Sequence, residues 1–278
     1  VVPIPDLAKV KAQMLTGNVE WDIYDISSYT MEVGSKNGFW EKLDPSIFDL
    51  QDMAIPPATD HVAFSVYVAG IAWDPAKYGA GQHPSTFTDF FDLKKFPGRR
   101  ALRNQPVETM EMAFVADGVA PKDLYPLDVD RAFKVLDRIK PSVASWIKAV
   151  TQSISLVQTG EVDFSYTYAN RVKATNVPGG ELPLALSFEQ NLLDTECLAV
   201  LKGAPNKENA MKLLAYFLRP EVQVRFEDQI AGIPVSKKAY PLLSAETRKW
   251  QPDLNNPNHV RVNSAYWVDN YDPLSRRF

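Results

Sequence analysis

The stretch from Leu102 to Phe114, "LRNQPVETMEMAF", places a carboxylate, Glu108, where an apolar strand has turned through a proline-marked bend and a helix begins. Two kinds of chemistry fit that position. A helix N-terminus stabilises negative charge through its dipole and unpaired N–H groups, so Glu108 can be a capping acid. Alternatively, loops after the carboxyl ends of strands are where open α/β sheets bind ligands, and Glu108 is then an anchor for a cation. Asp194 and Glu196, two apart in "NLLDTECLAVL", fall on one face of a strand by alternation. Two close carboxylates in a dry pocket call for a cation between them or a rim position for one, whereas a solvated strand end needs neither. Arg103, close to Gln105 in sequence, offers a partner to an anion.

Other chemistry is missing. There is no P-loop, G-x-G-x-x-G, H-E-x-x-H or G-x-S-x-G, and His61, His83 and His259 lack metal-ligand spacing. The single cysteine, Cys197, excludes an internal disulfide and reads as a buried, inert thiol in the apolar run "CLAVL". No cofactor or metal is expected. A hydrolase or transferase using Glu108 with Glu196 is the enzymatic alternative, and it requires a proton-transfer geometry. With 278 residues, 45% of them hydrophobic, a formal charge of −4 and no run of Lys and Arg, the chain is expected to be an ordinary globular protein without a nucleic-acid partner. No stretch approaches the roughly 18 apolar residues of a membrane helix, and "VVPIPDLAKV" does not have the pattern of a signal peptide, as in a mature or truncated product.

The elements that must position these groups alternate strand and helix, which predicts an α/β architecture. A helix with Leu7, Val10, Met14 and Leu15 on one face stops at Gly17, and "VEWDIYDISSY" follows as a strand. "HVAFSVYVAGIAW" is a strand long enough to pass through more than one sheet. Residues 76–97 read as turn-rich connections. A capped helix runs from Asp128 to Ile139, "VASWI" and "VDFSYTY" are strands, and "PGGELP" is a turn. Beyond the strand at "CLAVL" come two helices, the first capped by Asn206 with Met211, Leu214, Ala215 and Leu218 inward, the second opened by Pro220.

The stretch "LKGAPNKENAMKLLAYFLRPEVQVRFEDQIAGIPVSKKA", residues 201–239, closely resembles the corresponding part of bacterial extracellular solute-binding proteins of ABC importers. "VEWDIYDISSYTMEVGSKNGFWEKLD" and "FTDFFDLKKFPGRRAL" extend the likeness, which is nearest to spermidine/putrescine-binding proteins. The resemblance implies the two-lobed type II periplasmic binding protein fold, with lobe I at residues 1–68 and 195–233 and lobe II at 69–194 and 234–278. Crossover strands near Val66–Ile71, Thr195–Cys197 and Gly232–Val235 would join the lobes, and ligand would be trapped in a cleft by hinge motion. The chain begins where that family has already used about two α/β units, so a first strand-helix unit is expected to be missing.

Carried over residue by residue, the likeness puts Glu108 on a glutamate that meets the ligand's ammonium groups and Gln105 on an aspartate position, so one charge is absent. Glu196 matches an acid on the second crossover, with Asp194 where an aromatic is usual. Ser27 and Tyr29 match a serine and tyrosine at the end of a lobe I strand, Tyr67 lies on the first crossover, and Tyr166 stands where a tryptophan stacks on the polyamine. The function implied is that of a non-catalytic periplasmic receptor, monomeric, handing a small cationic solute, a polyamine or related amine, to the membrane permease of an ABC transporter. Gln105, Asp194 and Arg103 keep a second reading open, an amino-acid-like zwitterion or an organic acid as ligand.

Overall fold

The computed structural model describes residues 7–179 and 182–278; the start of "VVPIPDLAKV" and two residues of the "PGGELP" turn lie outside them. The elements of the N-terminal half are α1 Leu7–Thr16, β1 Ile23–Ser27, α2 Ser28–Lys36, β2 His61–Trp73, α3 Phe87–Phe91, β3 Arg100–Arg103, α4 Thr109–Ala116 and α5 Val129–Ile139. There follow β4 Val143–Ile147, α6 Gln152–Gln158, β5 Phe164–Tyr168, α7 Ala169–Thr175, β6 Ala185–Leu186, β7 Leu192–Val200, α8 Lys207–Phe217 and α9 Pro220–Ile230. The chain closes with β8 Ile233–Pro234, α10 Ala245–Arg248, β9 Val260–Arg261 and α11 Ser264–Arg277. Among the described residues no helix is long and apolar enough to cross a membrane.

The α/β class expected from the alternation is the one observed, in two compact units. Unit 1 holds the described residues up to Tyr67 together with Asp194–Lys249, and unit 2 holds Val68–Leu193 with Trp250–Phe278. The chain makes its first two passages between them after Tyr67 and after Leu193. The third falls after Lys249 and not after residue 233, because residues 234–249 are tied into unit 1. Val235 N–H donates to Gln223 (2.9 Å), the Ser236 hydroxyl to Asp52 (2.5 Å), Lys238 N–H to Asp52 (2.8 Å) and the Thr247 hydroxyl to Asp228 (2.6 Å).

In unit 1, β1 runs antiparallel to β7 from Ile23↔Val200 to Ser27↔Glu196, and β8 pairs with β2 at Ser65 and Val66. Both faces of this sheet are covered. Cys197, Ala199 and Leu201 join Val10, Tyr24, Met31 and Trp40 on one side, while Leu198 and Val200 join Phe64, Ala210 and Leu214 on the other. The period of two along β7 is thereby filled twice, which is why "CLAVL" reads as an unbroken apolar run. On α1, Val10 is buried and Leu7 and Met14 pack beside it, but Leu15 is 78% exposed. At 100° per residue it lies past the edge of the stripe that the other three share.

In unit 2, β5 pairs antiparallel with β2 from Ala69↔Tyr168 to Trp73↔Phe164, and β3 lies parallel to both β5 and β4. Parallel pairing sets the carboxyl ends of β3 and β5 side by side. The Arg100 side chain is buried beneath them, giving its guanidinium N–H groups to the carbonyls of Phe90 (3.2 Å), Gly98 (2.5 Å) and Phe96. The segment expected to be turn-rich connections contains α3, opened by Thr86, whose hydroxyl accepts from Asp89 N–H (3.1 Å), with Phe87 and Phe90 inward.

Candidate functional site

The residues singled out from the sequence fall into two polar clusters, one in each unit. In unit 2, Asn104 N–H continues the β3–β4 pairing by donating to Ile147 (2.8 Å), and the chain then bends through Gln105–Val107 into α4. Glu108 occupies the residue before the helix with φ +69° and ψ −46°, and its carbonyl accepts the first helical bond, from Met112 N–H (3.0 Å). That backbone is close to the strained γ-turn geometry that side chains other than glycine rarely adopt, at a cost of about 1–3 kcal/mol. The side chain makes no capping hydrogen bond. Glu108 therefore does not cap α4 through a side-chain hydrogen bond. Its carboxylate, in a residue 2% exposed, accepts from the Tyr168 hydroxyl (2.8 Å) and, at 3.5 Å, from the Gln105 amide. The Gln105 carbonyl in turn lies 3.5 Å from the Arg103 guanidinium, which also donates to the Lys148 carbonyl (3.1 Å). Guanidinium, amide and carboxylate thus stand in a row, joined by contacts long enough to be exchanged for a ligand's. The Arg103 Nε–H is buried and has no hydrogen-bond partner among the described residues.

Tyr166 and Tyr168 share one face of β5. Tyr166 is fully buried, its ring edge-on to Tyr168 (6.2 Å between centroids) and Phe87 (6.3 Å). Burial first, then the charge of Glu108, holds its phenol well above the ordinary value. The tyrosine that reaches Glu108 with its hydroxyl is the half-buried Tyr168, which the sequence reading passed over. Its signal was present: it is two residues on from Tyr166, at the carboxyl end of the strand parallel to β3.

In unit 1 the centre is Asp194, 6% exposed. It accepts from the hydroxyls of Ser28 (2.5 Å) and Tyr67 (3.1 Å) and from Thr195 N–H (2.7 Å). Ser28, which opens α2, takes this role, whereas Ser27 ends β1 opposite Glu196 in the ladder and caps nothing. Tyr29, Ser27 and Glu196 are half-buried around this strand end. Cys197 is buried, and burial, with Asp194 and Glu196 nearby, pushes its thiol up to about 12, in keeping with an inert role. The histidines have separate structural engagements: His61 with Asp60 (2.8 Å), His83 stacked on Trp73 (3.6 Å) and His259 accepting from Asn191 N–H (3.1 Å). Among the described residues no group of three or more His, Cys, Asp or Glu is placed to hold a metal ion.

Comparison with known proteins places this geometry in context. The family pattern described as bacterial extracellular solute-binding protein matches residues 5–258. A gamma-aminobutyric acid-binding protein of Pseudomonas aeruginosa is 34% identical over 282 residues, covering 98% of this chain and 79% of its own length. A spermidine/putrescine-binding periplasmic protein of Escherichia coli is 25% identical, over 91% of this chain and 77% of its own. Among solved structures, one described as the Atu4243–GABA receptor superposes with a TM-score of 0.89 at 30% identity, over 100% of this chain and 85% of that one.

Proposed function

The chain belongs to the bacterial extracellular solute-binding proteins, and from that premise we propose that it is a periplasmic receptor of an ABC importer that binds a small amino-acid-like zwitterion, an ω-amino acid such as gamma-aminobutyrate. It acts as a carrier to the membrane permease and not as a catalyst. The observation that carries the ligand class is the row Arg103–Gln105–Glu108, a cation and an anion one amide apart in the same unit. A zwitterion needs both signs, and charge-assisted hydrogen bonds to each end are about twice as strong as neutral ones. The likeness to proteins named for gamma-aminobutyrate supports the same reading. Tyr168 with Glu108, and Ser27, Tyr29, Tyr67, Asp194 and Glu196 in unit 1, are proposed as solute contacts, each in its own right. Tyr166 stiffens the wall behind Tyr168.

A diamine or polyamine is the second reading. The buried carboxylate of Asp194 favours it by adding an acid to Glu108, as do the more distant spermidine/putrescine-binding relatives. The two readings part at Arg103. Calorimetric titration with gamma-aminobutyrate, putrescine and glutarate is expected to show gamma-aminobutyrate binding most tightly, and both Glu108→Gln and Arg103→Gln weakening it by about 1.5–3 kcal/mol. Under the diamine reading Arg103→Gln instead strengthens putrescine, because it removes a like charge. Preference of the native protein for putrescine with that response would overturn the zwitterion assignment.

A further inference from the structure

The row Arg103–Gln105–Glu108 has a direction. The Gln105 carbonyl faces Nη2 of the Arg103 guanidinium and its amide N–H faces Oε2 of the Glu108 carboxylate, each at 3.5 Å. The reverse orientation of the carboxamide suits neither neighbour, because a guanidinium has only donors and a carboxylate offers acceptors. An acceptor turned to the cation and a donor turned to the anion is also the order in which a zwitterion presents its carboxylate and its ammonium.

The frame around this amide is fixed, while the amide itself is loosely held. Pro106 confines the backbone of Gln105 to extended conformations. The Thr109 hydroxyl donates to the Arg103 carbonyl across the bend (3.2 Å), and Met110 N–H donates to the Pro106 carbonyl (2.9 Å). Glu108 takes the Tyr168 hydroxyl at 2.8 Å, an ordinary length, whereas the two contacts of the half-buried Gln105 amide are at the outer edge of hydrogen bonding. That amide also leaves Arg103 incompletely satisfied. The Arg103 Nε–H shares an edge of the planar guanidinium with Nη2, and it is buried with no hydrogen-bond partner among the described residues. One carbonyl oxygen engages one N–H of that edge, but a carboxylate has two oxygens and engages both in parallel.

We propose that the Gln105 side chain is a built-in stand-in for the solute: its carboxamide fills the place between Arg103 and Glu108 in the free protein and swings out when a zwitterion arrives. The solute carboxylate then takes the Nε–Nη2 edge of Arg103 and its ammonium takes Glu108. This deepens the ω-amino acid reading and rests on it. The stand-in lowers apparent affinity by the fraction of molecules in which the place is taken. It also sharpens selectivity. A monoamine or a monocarboxylate displaces two contacts and remakes one, whereas a zwitterion replaces both with charge-assisted bonds.

The test uses two variants: Gln105→Ala removes the amide, and Gln105→Met keeps its length without its polarity. Calorimetric titration with gamma-aminobutyrate is expected to show both binding about threefold to tenfold more tightly than the native protein. Unchanged or weaker affinity in either variant overturns the proposal, by making Gln105 a direct solute contact or a mere filler of volume. A second arm does not depend on which solute is bound. Acetamide at about 100 mM is expected to refill the place emptied in Gln105→Ala and raise its Tm by about 1–2 °C, with no such rise in the native protein. Absence of that rise, or an equal rise in the native protein, also overturns the proposal. If gamma-aminobutyrate binds none of these proteins while acetamide stabilises Gln105→Ala alone, the place of the carboxamide stands and the ω-amino acid reading falls.

Discussion

Glu108 joins a backbone that a glutamate adopts only under strain to a carboxylate that makes no capping hydrogen bond to its helix. Strain of this kind persists where surrounding structure overdetermines it, and it collects at ligand sites. Two substitutions separate the backbone from the charge. Glu108→Gln keeps φ at +69° and removes the charge, whereas Glu108→Gly removes both strain and side chain. Glu108→Gly is expected to be more stable than Glu108→Gln by about 1 kcal/mol, while both lose solute affinity. Urea titration of the two variants measures the difference. Equal stability would mean that the loop tolerates the conformation without cost.

Individual elements show how far a sequence can be read. Helices with a clean apolar stripe or a cap, such as α5 opened by Asp128 accepting from Arg131 N–H (3.1 Å), were legible because their signals are local. Asn206 precedes α8 as expected, yet its side chain donates to Asp22 (3.0 Å) and does not cap the helix, because a partner 184 residues away offered a charged acceptor. For the same reason α11 and its Trp267 contact with Glu111 left no trace in the local pattern, and Tyr168 was passed over for Tyr166. Glu108 and Asp194 were singled out because charge in an apolar context is conspicuous, and Tyr67 with them; the other hydroxyl partners, Ser28 and Tyr168, were not.

Gly34 shows the limit in another way. Glycine inside a helix costs about 1 kcal/mol relative to alanine, so Gly34→Ala would ordinarily stabilise α2. Here an added Cβ would run into the Trp40 ring, which is stacked on Tyr24 (5.4 Å) and fixed by its N–H to the Met31 carbonyl (2.9 Å). Gly34→Ala is expected to destabilise unit 1 by about 1–3 kcal/mol, read as a lower urea midpoint.

For the molecule as a whole, two carboxyls of unit 2 tilt stability in opposite directions. Asp163 accepts from Lys77 (2.6 Å), Tyr78 (2.7 Å) and Arg99 N–H (2.8 Å). Burial alone would raise it, but these donors outweigh burial and hold it well below the usual carboxylate range. A depressed acid contributes stability above its unfolded value, about 3.9, and that contribution is lost as pH falls through the folded value. Glu111, raised to about 7 by burial, behaves in the reverse way: its contribution is present below the unfolded value of about 4.3 and is lost as pH rises through neutrality. From these two groups thermal melts are expected to peak at roughly pH 4, with Asp163→Asn flattening the fall on the acid side and Glu111→Gln the fall between about pH 4.3 and neutrality. A native profile that rises steadily from pH 5 to 8 would contradict the assignment of Glu111.

The chain passes between its units after Tyr67, Leu193 and Lys249, so neither unit is a contiguous stretch of polypeptide. During synthesis from the amino end, β1 waits for β7, its partner among the described residues, since Ile23 pairs with Val200 and Ser27 with Glu196. Unit 2 is completed later still, when Trp267 arrives to meet Glu111. Loop closures of this length are slow and contribute nothing until both ends exist. A nascent chain of this design cannot finish either unit until most of its length has been made, so folding during synthesis would have to wait on its last third.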